Sequence, residues 1–74
     1  MVETVIAKNM KVVMAEKNMR NVDLYRKTSV PMSRIGDILR GRVLNPRINT
    51  MVSLADGLGV TIDSLVKDKE VVNS

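Results

Sequence analysis

Cysteine and histidine are both absent from this 74-residue chain. Their absence excludes disulfide scaffolds, thiol chemistry, zinc ribbons and imidazole-based acid–base or metal sites. Phenylalanine and tryptophan are missing as well, and Tyr25 is the single aromatic residue. That argues against a single-strand nucleic-acid platform, which stacks bases on exposed rings. No apolar run approaches the roughly 18 residues that span a bilayer. The opening Met1-Val2-Glu3-Thr4 lacks the basic and apolar regions of a secretion signal. No repeat, low-complexity tract or Gly/Ser linker interrupts the chain. The expectation is one cytoplasmic domain with no membrane partner, no cofactor, no metal and no evident small-molecule ligand.

What remains to build a core is Val, Ile, Leu, Ala and six Met, the first residue included. Methionine fills irregular gaps but specifies a core less sharply than branched side chains do. A domain of this size has about 4–11 kcal/mol of net stability, at roughly 0.05–0.15 kcal/mol per residue.

The net charge of +4 is modest, but it is unevenly distributed. Residues 1–19 carry +1, residues 20–47 carry +5 and residues 48–74 carry −2, and all six arginines lie in the middle segment. Arginine presents a planar fork of donors suited to phosphate and to guanine edges, so this clustering points to a polyanion. The alternative is an ordinary solvated charged face.

Helical periodicity runs through the chain and strand signals are weak. Residues 4–17 read as a first helix on Ile6, Met10, Val13 and Met14. A short second helix starts at Asn21 as N-cap, with Asp23 in its first turn, and ends near Lys27–Thr28. Pro31 suits the start of a third helix, whose apolar stripe is Ile35, Ile38 and Leu39 and whose end is Gly41. Asn45-Pro46 reads as the start of a fourth, burying Ile48, Met51, Leu54, Ala55 and Leu58 and stopping at Gly59. Thr61 caps a short fifth helix from Ile62 to about Val66. The expected fold is all-α with five short helices, residues 1–66 forming the domain and 67–74 a C-terminal tail, docking arm or linker.

Catalysis finds little support. Without His or Cys, a nucleophile would need Ser or Thr beside a Lys or carboxylate base, and no short segment combines them with an oxyanion turn. The four glycines, Gly36, Gly41, Gly57 and Gly59, match neither a P-loop nor a dinucleotide fingerprint.

Residues 19–41 are the informative stretch: two short helices joined by a three- or four-residue turn. Opposite the stripe Ile35/Ile38/Leu39 lie Met32, Ser33, Arg34, Gly36, Asp37 and Arg40. That pattern describes a helix-turn-helix, although a generic helical hairpin shares it. In its wider setting the chain resembles the phage repressor and Cro-type helix-turn-helix proteins, the lambda-repressor-like fold. The resemblance runs from Ile6 to Leu65 and rests on Asn9-Met10 with Val13, Met19, Leu24, Val30, Ile35, Ile38, Gly41, Asn45-Pro46, Leu54-Ala55-Asp56-Gly57-Leu58-Gly59-Val60, Ile62 and Leu65. Four positions depart from the family pattern. Arg20-Asn21 stands for Ser/Thr-Gln, Tyr25 for a small Ala, Ser29 for the turn Gly and Pro31 for a Ser cap. A ring at Tyr25 must point outward or change the angle between the two helices.

The resemblance implies a sequence-specific transcriptional regulator of double-stranded DNA. It further implies a phage or prophage-type repressor binding a palindromic operator as a homodimer, with the helix near 32–40 in the major groove. Met32, Ser33, Arg34, Gly36 and Asp37 match base-reading positions. Arg34 suits guanine O6/N7, or pairs with Asp37; Ser33 bonds a base or its own helix turn; Met32 touches a thymine methyl or packs. Asp37 accepts from cytosine or pairs with Arg34 or Arg40, and Gly36 admits DNA or a neighbouring helix. Arg20, Asn21, Arg40, Arg42, Arg47 and Asn49 match positions that grip phosphates, with solvated charge as the alternative. An antitoxin or other protein-interaction module on the same fold is the rival reading. Dimerisation is expected through the fifth helix and the tail, with Val66, Val71 and Val72 as its apolar residues.

Overall fold

Thr4 begins the first helix by accepting the Ala7 N–H at 3.0 Å on its hydroxyl, which satisfies one of the amides a helix start leaves open. In the computed structural model, which describes residues 4–67, five helices follow: α1 Val5–Glu16, α2 Asn21–Thr28, α3 Met32–Leu39, α4 Ile48–Leu58 and α5 Ile62–Val66. No strand occurs among the described residues. Residues 68–74, with Val71 and Val72, lie outside them.

Two starts differ from the sequence expectation. Arg20, not Asn21, is the N-cap of α2, because the Asp23 carboxylate accepts the Arg20 backbone N–H at 2.8 Å and closes the box one residue earlier. That bond, with the Arg20 guanidinium beside it, holds the Asp23 carboxyl below its ordinary pKa of 3.8. A lowered folded-state pKa means the contribution is present above the ordinary carboxylate pKa and lost as pH falls through the lowered one. Helix α4 starts at Ile48 with extended Arg47 as its N-cap, two residues after Asn45. Ile48 is consequently 65% exposed rather than buried. It is the first residue of the helix, at the border of the stripe that Met51, Leu54 and Leu58 turn into the core.

The core gathers Met10, Val13 and Met14 from α1, Leu24 from α2, Val30 from the turn, and Ile35 and Ile38 from α3. Met51, Leu54, Ala55 and Leu58 from α4 and Leu65 from α5 complete it. Helix α1 packs on α3 and α5, α2 on α3 and α4, and α4 on α5, so α3 rests against both α1 and α2. Gly41, at φ +78°, ends the α3 segment: its N–H donates to Ile38 O at 3.1 Å, and the Arg42 N–H donates to Asp37 O at 2.9 Å. At the far side, the Lys17 ammonium donates to Leu58 O and covers the carbonyl end of α4.

Among the described residues Asn9 is the buried polar side chain of this core, 5% exposed. Its amide nitrogen donates to Leu65 O and to Lys67 O, both at 2.9 Å, and so ties α1 to the end of α5.

Helices α2 and α4 approach closely at Gly57. A Cβ there would collide with the Thr28 methyl and come within 3.1 Å of Leu24 Cδ1. Thr28 cannot rotate away cheaply, because its hydroxyl donates to Leu24 O at 2.8 Å and accepts the Val30 N–H at 3.1 Å. Gly57→Ala therefore sets an overpacking cost of about 1–3 kcal/mol against a gain in helix propensity of about 1 kcal/mol. Urea denaturation should show a net loss. An unchanged or raised midpoint would mean that α2 and α4 do not touch there.

Candidate nucleic-acid interface

Helices α2 and α3 are joined by Ser29-Val30-Pro31. The turn takes its shape from Ser29, whose φ of +62° is left-handed and whose N–H donates to Tyr25 O at 2.7 Å. That conformation costs a non-glycine residue about 1–2 kcal/mol. The Thr28 hydroxyl, bonded on both sides of the turn, and buried Val30 hold it in place. Sequence reasoning missed Thr28, although a Thr just before a turn is the available signal, since its hydroxyl bonds local backbone readily. Pro31 then sets the first turn of α3, with its carbonyl accepting the Ile35 N–H at 3.0 Å. Tyr25 is about half exposed, so its ring points outward and leaves the approach of α2 to α3 to smaller groups.

Ile35 and Ile38 are fully buried, which fixes the rotation of α3 about its axis. Met32, Ser33, Arg34 and Arg40 are left facing outward, and Asp37 is half-exposed. Pro31, Ser33, Arg34, Asp37 and Val43 line a shallow open concavity of about 200 Å³ beside the first turns of α3. The structure thus brings together Ser33, Arg34 and Asp37 of the base-reading set.

Asp37 pairs with Arg42 at 3.7 Å and with Arg40 at 4.0 Å, rather than with Arg34. These are surface pairs of small energetic weight, but they fix where two guanidinium groups rest. Arg40 lies along the outer face of α3 over Gly36, where an added Cβ would meet Arg40 Nη1 at 2.9 Å. The three nearest atoms all belong to Arg40, which covers the buried Gly36 from outside. Because the obstacle is the far end of a flexible side chain, Gly36→Ala should raise fold stability by about 0.5–1 kcal/mol. If α3 lies against DNA, the same change should weaken duplex binding. Thermal melts and duplex titration of this one variant measure both; a loss of stability would contradict the placement of Gly36.

The remaining residues of the expected phosphate-gripping set lie on separate elements. Arg20 is exposed at the start of α2, its Nε 3.5 Å from Asp23, and Asn21 sits half-buried in the first turn. Arg42 follows Gly41, and Arg47 and Asn49 are exposed at the start of α4. The Arg47 side chain makes no capping bond to α4, and the start of a helix presents backbone amides that suit an anion. Among the described residues no cluster of carboxylates could hold a metal, and no helix is long and apolar enough to cross a membrane.

The arrangement offers short donors and one carboxylate on the outer face of α3, with the Arg40 and Arg42 guanidinium groups resting against that carboxylate. A family model described as the Cro/C1-type HTH DNA-binding domain matches residues 9–70. No curated protein matches the chain significantly.

Proposed function

The chain belongs to the Cro/C1-type helix-turn-helix DNA-binding family, and from that premise we propose that it is a repressor of phage or prophage type. It binds a palindromic operator as a homodimer, in the cytoplasm. Helix α3 enters the major groove, where Met32, Ser33, Arg34, Gly36 and Asp37 meet base edges. Arg20, Asn21, Arg40, Arg42, Arg47 and Asn49 hold the phosphates on either side.

The observation that carries this reading is the exposed outer face of α3. Ile35 and Ile38 are sealed into the core, while Ser33, Arg34 and Arg40 are exposed among the described residues. A single such helix reads only a few base pairs, so useful specificity needs two copies on neighbouring half-sites. Selection of bound sequences from random duplex DNA tests the reading. The expected outcome is an inverted repeat with half-sites about one helical turn apart. Recovery of unrelated sequences would contradict it and favour a protein-interaction role for the fold.

A further inference from the structure

Asp37 is the one carboxylate among the four arginines of residues 32–47. It stands four residues after Ser33 and three before Arg40, so the three side chains share one side of α3. Both of its ion pairs fall on the same oxygen: Oδ1 lies 3.7 Å from Arg42 Nη1 and 4.0 Å from Arg40 Nη1. Those separations exceed the roughly 2.7–2.9 Å of a charge-assisted hydrogen bond. The Arg40 and Arg42 side chains are also 63% and 71% exposed, so the clasp is loose and open to exchange. It nevertheless decides what the outer face presents. The Arg40 guanidinium lies over Gly36, its Nη1 2.9 Å from where a Cβ would stand. Arg42 is kept beside the carboxylate by its backbone, whose N–H donates to Asp37 O at 2.9 Å.

We propose that Asp37 determines specificity by withholding Arg40 and Arg42 from phosphates until a cytosine amino group takes over its carboxylate; the proposal rests on the DNA-binding reading and deepens it. A phosphate that captures either guanidinium must take it from Asp37. Once both are gone, a bare carboxylate faces the duplex. In the major groove guanine presents O6 and N7 and thymine presents O4, all of them acceptors that repel it. Cytosine presents the N4 amino group, which donates to it. Opposite a cytosine the exchange is therefore complete, with phosphates holding the arginines and the base holding the carboxylate. Opposite guanine or thymine the protein either keeps the clasp and grips weakly, or opens it and leaves a negative charge uncovered. Phosphate contacts carry no sequence information by themselves. Through Asp37 they become conditional on the base in front of it, and wrong sites are penalised as well as the right one favoured.

The test compares the wild-type full chain with Asp37→Asn on a selected and a scrambled duplex across a salt series. The pairs it removes are surface pairs, so the variant should melt with the wild type. It should bind the scrambled duplex about three- to tenfold more tightly, against no gain or a loss on the selected one. The salt slope on scrambled DNA should steepen, since two more guanidinium groups are free for phosphates, and the gap should close as salt rises. Site selection repeated with the variant should lose a cytosine preference at one position per half-site. A second comparison places Asp37→Asn in an Arg40→Ala/Arg42→Ala background, where the gain on scrambled DNA should largely vanish. A gain of the same size in both backgrounds would overturn the proposal, because the carboxylate would then act by repulsion alone. Scrambled binding that is unchanged or weaker in Asp37→Asn would overturn it too, while selective binding by the wild type would leave the DNA reading standing. If the wild type itself prefers no duplex, that reading fails and the proposal fails with it.

Discussion

Asn9→Leu should cost about 2–4 kcal/mol, a large part of the stability that a chain of this size has. Leucine keeps the branched outline of asparagine and opens no cavity, so the cost comes chiefly from the hydrogen bonds. The Asn9 amide donates to Leu65 O and Lys67 O, both at 2.9 Å, and those carbonyls belong to the end of a five-residue helix that cannot bond them internally. Without the amide, the buried Leu65 carbonyl loses the side-chain donor that reaches it and bears a desolvation penalty. The Lys67 carbonyl is nearer the surface and recovers a partner from water. The effect should be strongest in α5, because Asn9 is its tether to α1. Leu65, fully buried, is the apolar anchor that remains. Urea denaturation should show the lower midpoint, and amide hydrogen exchange should show residues 62–67 opening well below the global unfolding energy. A uniform fall in protection across all five helices would mean that Asn9 supports the core as a whole and not this junction.

The helices were largely legible in the sequence because their signals are local. Thr4 and Thr61 cap α1 and α5 where their hydroxyls announce it, each accepting an N–H three residues ahead. Gly41 and Gly59 end their segments in the left-handed conformation that glycine accepts most readily. Where two local signals competed, the helix start moved by a residue or two. At Arg20-Asn21 the side-chain preference of Asn gives way to the bond that Asp23 makes with the preceding backbone. At Asn45-Pro46 the chain does not turn helical until after extended Arg47, and Ile48 then falls on the exposed flank although its type fits a core.

The partners of the candidate site residues were only partly legible in the sequence. Asp37 has Arg34 and Arg40 at helical spacing, and spacing alone cannot choose between them. In the structure Arg40 lies 4.0 Å from the Asp37 carboxylate, and Gly41 adds a partner that helical spacing does not offer, folding Arg42 back so that its N–H bonds Asp37 O and its guanidinium reaches that carboxylate. Long-range partnerships were invisible for a simpler reason. Asn9 and Leu65 are 56 positions apart, and nothing local to either one names the other beyond a polar residue set in an apolar stripe.

The central claim is that α3 reads bases while the loop before α4 grips phosphates, and one paired measurement addresses it. Arg34→Ala and Arg47→Ala are titrated against a selected duplex and a scrambled one across a salt series. Arg47 serves better than Arg42, whose removal would also uncover Asp37. Arg34 is exposed in the first turns of α3 beside the concavity it shares with Ser33 and Asp37. Its removal should cost about 1–3 kcal/mol per half-site on the selected duplex, relax preference at one base pair and leave scrambled DNA nearly unaffected. Removal of Arg47 should weaken both duplexes alike. Each copy of a dimer then neutralises one phosphate fewer, so the log–log salt slope should also fall by about two units, at roughly 0.9 per phosphate. Equal weakening on both duplexes for both variants would contradict the division between reading and gripping and leave the arginines as undirected charge.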